Sequence, residues 1–449
     1  MTEDTTRQLH LNLHLSGAGH HEGAWRLSTE AGVPHNAFEH SAQVARLAER
    51  AKVDAVFLAD IPSLAPGFAH REPYLEPFTL LSGLAGVTQQ IGLIATVSTT
   101  YFEPYNLARL FASLDNISGG RAGWNIVTTV LADAARQFGS KPHPPHADRY
   151  RNAEEFVEVV TKLWDSWEDD AILADPRSGI YADPAKVHEI GHVGPAHQVA
   201  GPLSVQRSPQ GHPVLMQAGS SAAGIAFAAR YAEAVFTSLH SLEAAQTYYA
   251  DLKGQMARLG RDPEDLVVLP GLNPVIGETE AKAREAQEEL FELTNPAAGL
   301  AMLRIQTGGI DFSDLSLDAP FPRLSAEAAD SGSRQRIEII DDVAQRGRLT
   351  LREMAKWMAT GHGHRVIVGT PEQIADDIEA WFRGRGADGF TLQPPYLPGG
   401  LELFIEHVIP ELRRRGLFRS DYEGTTLREH YGLRRPYSRY AKGPAGALA

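Results

Sequence analysis

Gly219-Ser220-Ser221 closes a short apolar run, Pro213 to Ala218, and precedes an Ala-rich helical run from Ala222 to Tyr231. A strand that ends in small residues and opens a helix presents free backbone N–H groups and the positive end of a helix dipole, which suits a phosphate. Read alone, the serines also serve as a plain helix cap. Pro142-His143-Pro144-Pro145-His146-Ala147-Asp148-Arg149-Tyr150 is a stiff loop that delivers His146 and Tyr150, both with donors compatible with phosphate, to the start of another helix. A surface turn with an aromatic helix start is the plainer reading of the same residues.

Neutral polar groups recur at the ends of other apolar runs. Thr96, Ser98, Thr99, Thr100 and Tyr101 cluster hydroxyls that can bond the polar edge of a heterocycle without adding charge. In Ser118-Gly119-Gly120-Arg121-Ala122-Gly123-Trp124-Asn125-Ile126-Val127-Thr128-Thr129, a Gly-Gly turn feeds a strand. Ala122, Trp124 and Ile126 suit its buried face, and Asn125, Thr128 and Thr129 offer hydrogen bonds to a ligand. Asp60 ends a further strand, where it is either a carboxylate at a cavity mouth or an ordinary strand-end acid. His20, His21, Trp25 and Arg26 share one loop after the first strand.

Two motifs lead elsewhere. His188-Glu189-Ile190-Gly191-His192 matches the His-Glu-x-x-His pattern of zinc hydrolases, which works only when a helix puts both histidines on one face. Pro184, Gly191 and Gly194-Pro195 leave little room for that helix. Gly17-Ala18-Gly19-His20-His21-Glu22 lacks the third glycine of a dinucleotide fingerprint.

The elements that must position these residues are eight strand-like runs: His10 to Leu15, Val53 to Ala59, Ile91 to Val97, Ala122 to Thr129, Pro213 to Ala218, Ala234 to Thr237, Val267 to Val275 and Asp388 to Gln393. Helical patterns lie between them, so the expected fold is α/β, a closed (β/α)8 barrel, with chemistry at the strand ends. Asn36 with Glu39, and Thr370-Pro371-Glu372-Gln373, read as helix starts. After the second, Ile374, Ile378, Trp381 and Phe382 form an apolar stripe. The chain is expected to be one barrel domain over 1–449, with insertions at about 166–211 and 295–365 that build a lid or an oligomer contact. A basic tail, about 434–449, reads as an exposed arm.

The 449 residues are 43% hydrophobic and 22% charged, with a formal charge of -14 that disfavours nucleic acid. Cysteine is absent, which excludes disulfides, thiolate metal sites and a cysteine nucleophile. No leader-like segment opens the chain and no apolar run approaches a membrane span, so the expected location is cytoplasmic, with no membrane partner.

The chain resembles the bacterial-luciferase-like flavin monooxygenases, in the branch of nitrilotriacetate monooxygenase and the dibenzothiophene-sulfone and long-chain alkane enzymes. The resemblance runs through His21 to Arg26, Phe57-Leu58-Ala59-Asp60, Ser98-Thr99-Thr100-Tyr101, Ser118 to Thr129, Asp148-Arg149-Tyr150, Tyr181 to His188, Gln217 to Ser221 and Pro410 to Leu417. It implies a two-component enzyme in which reduced FMN, supplied by a separate NAD(P)H:flavin reductase, reacts with O2 through a C4a-peroxyflavin to oxygenate a small organic substrate. The flavin contacts implied are His146, Tyr150, Ser220 and Ser221 at the phosphate, and Asp60, Thr96 or Ser98, and Asn125 at the ring. His21, Trp25 and Tyr101 are the candidates near the reacting face. No metal ligand is expected.

Val130 departs from relatives that carry a polar residue near that point. The substrate stays open among aminopolycarboxylates, sulfur or nitrogen heterocycles, alkanes and related xenobiotics. The alternatives are a deazaflavin-dependent oxidoreductase of the same superfamily, a zinc hydrolase through His188 and His192, and a non-catalytic flavin-binding protein. Homo-oligomerisation is expected from the family.

Overall fold

The structure, a computed structural model, describes residues 7–27, 37–63, 75–129, 132–139, 142–219, 221–325 and 334–441. Eight parallel strands close a barrel: β1 (His10–His14), β2 (Ala55–Leu58), β3 (Gly92–Ser98), β4 (Ala122–Val127), β5 (Val214–Ala218), β6 (Ala234–Thr237), β7 (Val267–Ile276) and β8 (Gly389–Leu392). They pair in chain order, and β8 returns to β1 through His10 beside Gly389. Each expected strand is present, so the α/β barrel read from the sequence is the fold. The strand Arg365–Gly369 adds to the outer end of β7.

Helices α1 (Phe38–Arg50), α2 (Pro77–Ala85), α3 (Pro104–Ser118), α4 (His146–Asp165), α5 (Ala222–Tyr231), α6 (Leu242–Arg258) and α7 (Glu280–Glu292) follow the first seven strands. Among the described residues no helix is long and apolar enough to cross a membrane. Strand alternation divides the core in two. Trp124 faces outward and packs against Phe111 of α3 and Phe156 and Trp164 of α4, with its indole N–H donated to the Val97 carbonyl at 3.1 Å. Its neighbour Asn125 faces the barrel interior, beside Thr96 of β3 and Met216 of β5.

The turn into β4 is as read: Gly119 and Gly120 have φ of 72° and 92°, conformations that cost a side-chain-bearing residue energy. The strand itself stops at Val127, before Thr128 and Thr129, because those two turn out of the sheet at the barrel mouth; Thr129 has φ of 53°.

Two segments interrupt the alternation. The first, within 166–211, folds as two antiparallel strand pairs. The second carries α8 (Pro296–Gln306), α9 (Arg334–Gly347) and α10 (Leu351–Gly361), whose Met302, Leu303, Ile340, Leu351, Met354 and Met358 form an apolar cluster separate from the barrel core. Helix α11 (Pro371–Arg383) starts with the expected capping box of Thr370 and Gln373 and buries Ile374, Ile378, Trp381 and Phe382. Asn36 lies outside the described residues, and Ala37 stands at the cap of α1 without a side-chain bond.

The C-terminal segment departs most from expectation. Leu427, Tyr431 and Leu433 pack with Phe57, Ile94, Val214 and Leu269 in the barrel interior, and Tyr431 donates a 2.6 Å hydrogen bond to Asn12 of β1. Leu427 seats against Gly92 and Gly123 at the strand starts; a Cβ on Gly92 would lie 2.5 Å from its side chain. The segment thus plugs the end of the barrel opposite the strand C-termini. Beyond it, up to residue 441, the tail is strapped down rather than free: Arg434 pairs with Asp265, Arg435 with Asp169 and Arg439 with Asp165. The alternating acids on neighbouring loops supply the partners that a basic run by itself does not disclose.

Candidate active site

The C-terminal ends of β2, β4, β5 and β6 surround a cavity of about 370 Å3, with α8 and α9 of the second inserted segment as its far wall. That volume lies in the usual range for small-molecule sites.

One side is built at the starts of α4 and α5. Ser221 caps α5 with an extended backbone and accepts a 3.1 Å bond from the Gly224 N–H. Its side chain also meets the Tyr150 hydroxyl, and His146 packs against the Tyr150 ring. Burial pushes the Tyr150 phenol up, so it stays a donor at neutral pH. The backbone comes close because it has no side chains there: a Cβ on Gly224 would lie 3.2 Å from the Tyr150 oxygen, and one on Gly219 2.4 Å from the Gln217 amide. His146, Tyr150 and Ser221 therefore converge as the sequence suggests. Ser220 lies outside the described residues, as does Val130.

The ring-side candidates are arranged in two tiers. Asp60 lines the cavity, where burial, then the charge of Glu76, pushes its carboxyl up to about 6 against the opposing bond from the Ile61 N–H. Thr96, Ser98 and Asn125 lie below, buried. The Asn125 amide donates to Thr96 at 2.8 Å, while its carbonyl oxygen is buried and has no partner among the described residues. Ser98 accepts a 2.6 Å bond from Thr129, whose residue lines the cavity.

His21 and Trp25 line a smaller neighbouring cavity of about 110 Å3 that shares Ile61 with the larger one. Burial, then the neighbouring His362, lowers His21 to about 4 despite Glu22, so its imidazole is neutral. Its Nδ1 accepts from the Gly23 N–H at 2.9 Å, which leaves the proton on Nε2, 3.4 Å from the Thr294 hydroxyl. Trp25 is 49% exposed on the short helix Ala24–Leu27. Tyr101 stacks on Phe138 and bonds His143 at 2.8 Å. His143 contacts Arg149, which donates to the Thr129 carbonyl at 2.7 Å, so Tyr101 reaches the cavity wall through two other residues.

Several lining residues were not singled out by sequence reasoning. Arg149 and Gln217 sit inside quoted motifs, next to Tyr150 and Gly219, and their polarity beside a glycine or helix start was the available signal. Among the described residues, the buried Gln217 Oε1 and His364 Nδ1 have no hydrogen-bond partner. Arg336 enters from α9, where no short-range pattern marks it.

The zinc-like motif lies away from this cavity and is not helical. His188 pairs with Glu168 and stacks on Tyr440, whereas His192 forms a strand and pairs with Glu155. The two histidines face different partners, which removes the hydrolase reading. The Gly17-Ala18-Gly19 loop closes instead against Pro395 and Tyr396, where a Cβ on Gly19 would lie 2.4 Å from the Tyr396 backbone.

The fit to a planar, phosphate-bearing cofactor rests on these observations: a cradle at α5 that side chains would fill, and buried amide oxygens at Asn125 and Gln217 without partners. Comparisons with known proteins give the family. The family model described as luciferase-like monooxygenase matches residues 15–389. The N-acetyl-S-(2-succino)cysteine monooxygenase of Bacillus subtilis (strain 168) is 46% identical over 437 residues, 97% of this chain and 99% of that protein. The nitrilotriacetate monooxygenase component A of Aminobacter aminovorans is also 46% identical, with the same coverage. The crystal structure of DmoA from Hyphomicrobium sulfonivorans superposes with a TM-score of 0.85 at 32% identity, covering 95% of this chain and 92% of that one.

Proposed function

The chain belongs to the luciferase-like monooxygenase family, and from that premise we propose that it is the oxygenase of a two-component system, taking reduced FMN from a separate NAD(P)H:flavin reductase and oxygenating a small organic substrate. The observation that carries the cofactor reading is the Tyr150–Ser221 cradle at the start of α5, which offers neutral donors and a helix N-terminus to a phosphate. His146, Tyr150, Ser221 and Ser220 hold the phosphate. Asp60 and Asn125 meet the ring, with Thr96 fixing the Asn125 amide and Ser98 fixing Thr129.

Reduced flavin supplies the two electrons that let one atom of O2 enter the substrate while the other leaves as water. The protein's share is positional. Apolar Ile126, Phe236 and Ile305 keep water from the cavity, and neutral hydroxyls and amides hold the cofactor without competing charge. Asp60, with its carboxyl pushed up to about 6, can carry or release a proton close to neutrality. His21 and Trp25 border the adjoining space, and Tyr101 acts as a positioning residue through His143 and Arg149.

Anaerobic titration with reduced FMN tests the reading. Saturable 1:1 binding, followed by reductase-dependent O2 uptake that is coupled to a hydroxylated or cleaved product, is the expected result. Binding no tighter to the wild type than to the variant Tyr150→Phe/Ser221→Ala would overturn the cofactor assignment.

A further inference from the structure

Arg336 is a half-buried cation on the α9 side of the cavity, and among the described residues no carboxylate neutralises it. Its Nη1 donates to the Ser238 hydroxyl at 3.1 Å and to the Gly363 carbonyl at 2.8 Å, both neutral acceptors. Among the described residues Nε and Nη2 make no hydrogen bond, and no acid forms an ion pair with the guanidinium. The nearby acid Asp342 is paired with Arg346 one turn on. Burial alone lowers Arg336, to about 10, which still leaves it charged at neutral pH.

A charge held partly away from water favours an anionic partner in that space. The surroundings are shaped to receive it. Gly363, at φ of 77°, lets the backbone approach: a Cβ there would lie 2.7 Å from Nη1. The neighbouring imidazoles add no rival positive charge, since burial lowers His240 to about 4 and His364 well below its ordinary value. Ile305 and Ile339 beside it offer an apolar wall.

We propose that Arg336 is the specificity residue of this monooxygenase, clamping a carboxylate of the substrate through its free guanidinium edge while the substrate's apolar part lies against α8 and α9. The proposal rests on flavin occupying the Tyr150–Ser221 side. A guanidinium with two adjacent donors matches a carboxylate in a bidentate manner that a lysine ammonium cannot reproduce. The substrate class is therefore a small organic acid bearing an oxidisable sulfur, nitrogen or carbon, in preference to an alkane or a neutral sulfone. The negative charge of the whole chain does not oppose this, because the cavity lining itself holds two arginines and one acid that is readily protonated.

The test offers nitrilotriacetate and N-acetyl-S-(2-succino)cysteine, each as free acid and as methyl ester, to the enzyme with FMN, reductase and O2. At least one acid should be turned over and its ester should not. R336M should raise KM for that acid by about 10- to 100-fold, the loss expected for a charge-assisted bond. R336K should recover part of it, and the FMN dissociation constant should stay within about twofold in both variants. Turnover of ester as well as acid, an unchanged KM in R336M, or no turnover of either acid by the FMN-bound enzyme would overturn the proposal. An FMN dissociation constant that rises as much as KM would assign Arg336 to the cofactor phosphate instead. If the wild type binds no FMN, the cofactor reading fails separately, and calorimetry of nitrilotriacetate on the flavin-free wild type and R336M still decides: equal affinity overturns the clamp.

Discussion

On the α5 side of the cavity the proposed anion would meet backbone N–H groups, Ser221 and the Tyr150 hydroxyl; on the α9 side it would meet a full charge, Arg336, carried in by an inserted segment. The first side is built from local structure, with the Arg149 guanidinium beside it occupied by the Thr129 carbonyl. Its donors are directed by the start of a helix, so the same device suits any phosphate. The second side carries a half-buried guanidinium to which the described residues offer two neutral acceptors and no acid. On the proposed reading, that asymmetry separates a general cofactor seat, built into the barrel, from a selective substrate seat, built by the insertion.

Breaking the α5 side should have the largest effect. Tyr150→Phe combined with Ser221→Ala removes two donors to a charged group, each worth roughly 1.5–3 kcal/mol. The dissociation constant of reduced FMN should rise by at least about 100-fold in fluorescence titration, with KM for an acid substrate little changed at saturating FMN. Equal losses in both quantities would mean that the two sides are one site.

Gly271→Ala should strike the opposite side. A Cβ at Gly271 would lie 2.5 Å from His364 Nδ1 and 2.6 Å from Gln393 Oε1, both buried. Overpacking of this kind costs about 1–3 kcal/mol. We expect a lower melting temperature and a raised substrate KM, with FMN affinity nearly intact.

Asp60 allows a finer test of the boundary between the sides. Its carboxyl is raised from 3.8 to about 6 in the folded chain, so the folded state holds the proton more tightly than the unfolded state does. Its contribution is most favourable below 3.8 and declines as pH rises through about 6. Asp60→Asn keeps a neutral side chain, and so its urea midpoint should exceed that of the wild type above pH 6 and converge with it toward pH 4. Parallel curves across that range would show that the carboxyl is not desolvated. The smallest effect belongs to Tyr101→Phe. It loses one 2.8 Å bond to His143, worth about 1 kcal/mol, and FMN affinity should change by only a few-fold.

The two sides also differ in how far they were legible. On the α5 side, strand, Gly-Ser-Ser and helix are contiguous, so periodicity and turn chemistry place Ser221 without tertiary information; Tyr150 follows a Pro-rich stop in the same way. Thr96 and Asn125 were readable as strand residues, but their mutual bond comes from a parallel register that joins positions 29 residues apart. On the α9 side Arg336 sits in an ordinary amphipathic helix. Only the folding of that helix over the barrel, with Ser238 and Gly363 supplied from distant segments, distinguishes it from a surface arginine. The C-terminal plug is of the same kind, since Leu427 and Tyr431 look like any short apolar helix until Gly92 and Gly123 make room for them.

The sequence by itself determined the eight strands, the turn at Gly119-Gly120, the cap of α11 and the Ser221-capped start of α5, because each follows from local backbone preference or from periodicity over a few residues. Tertiary structure alone decided the paired interior layer at Thr96 and Asn125, the neutral state of His21, the raised carboxyl of Asp60, and the placing of Arg336 against the neutral Ser238 and Gly363. Burial and partner choice are properties of the whole packed chain, and desolvation acts only once segments far apart in sequence have closed around a group.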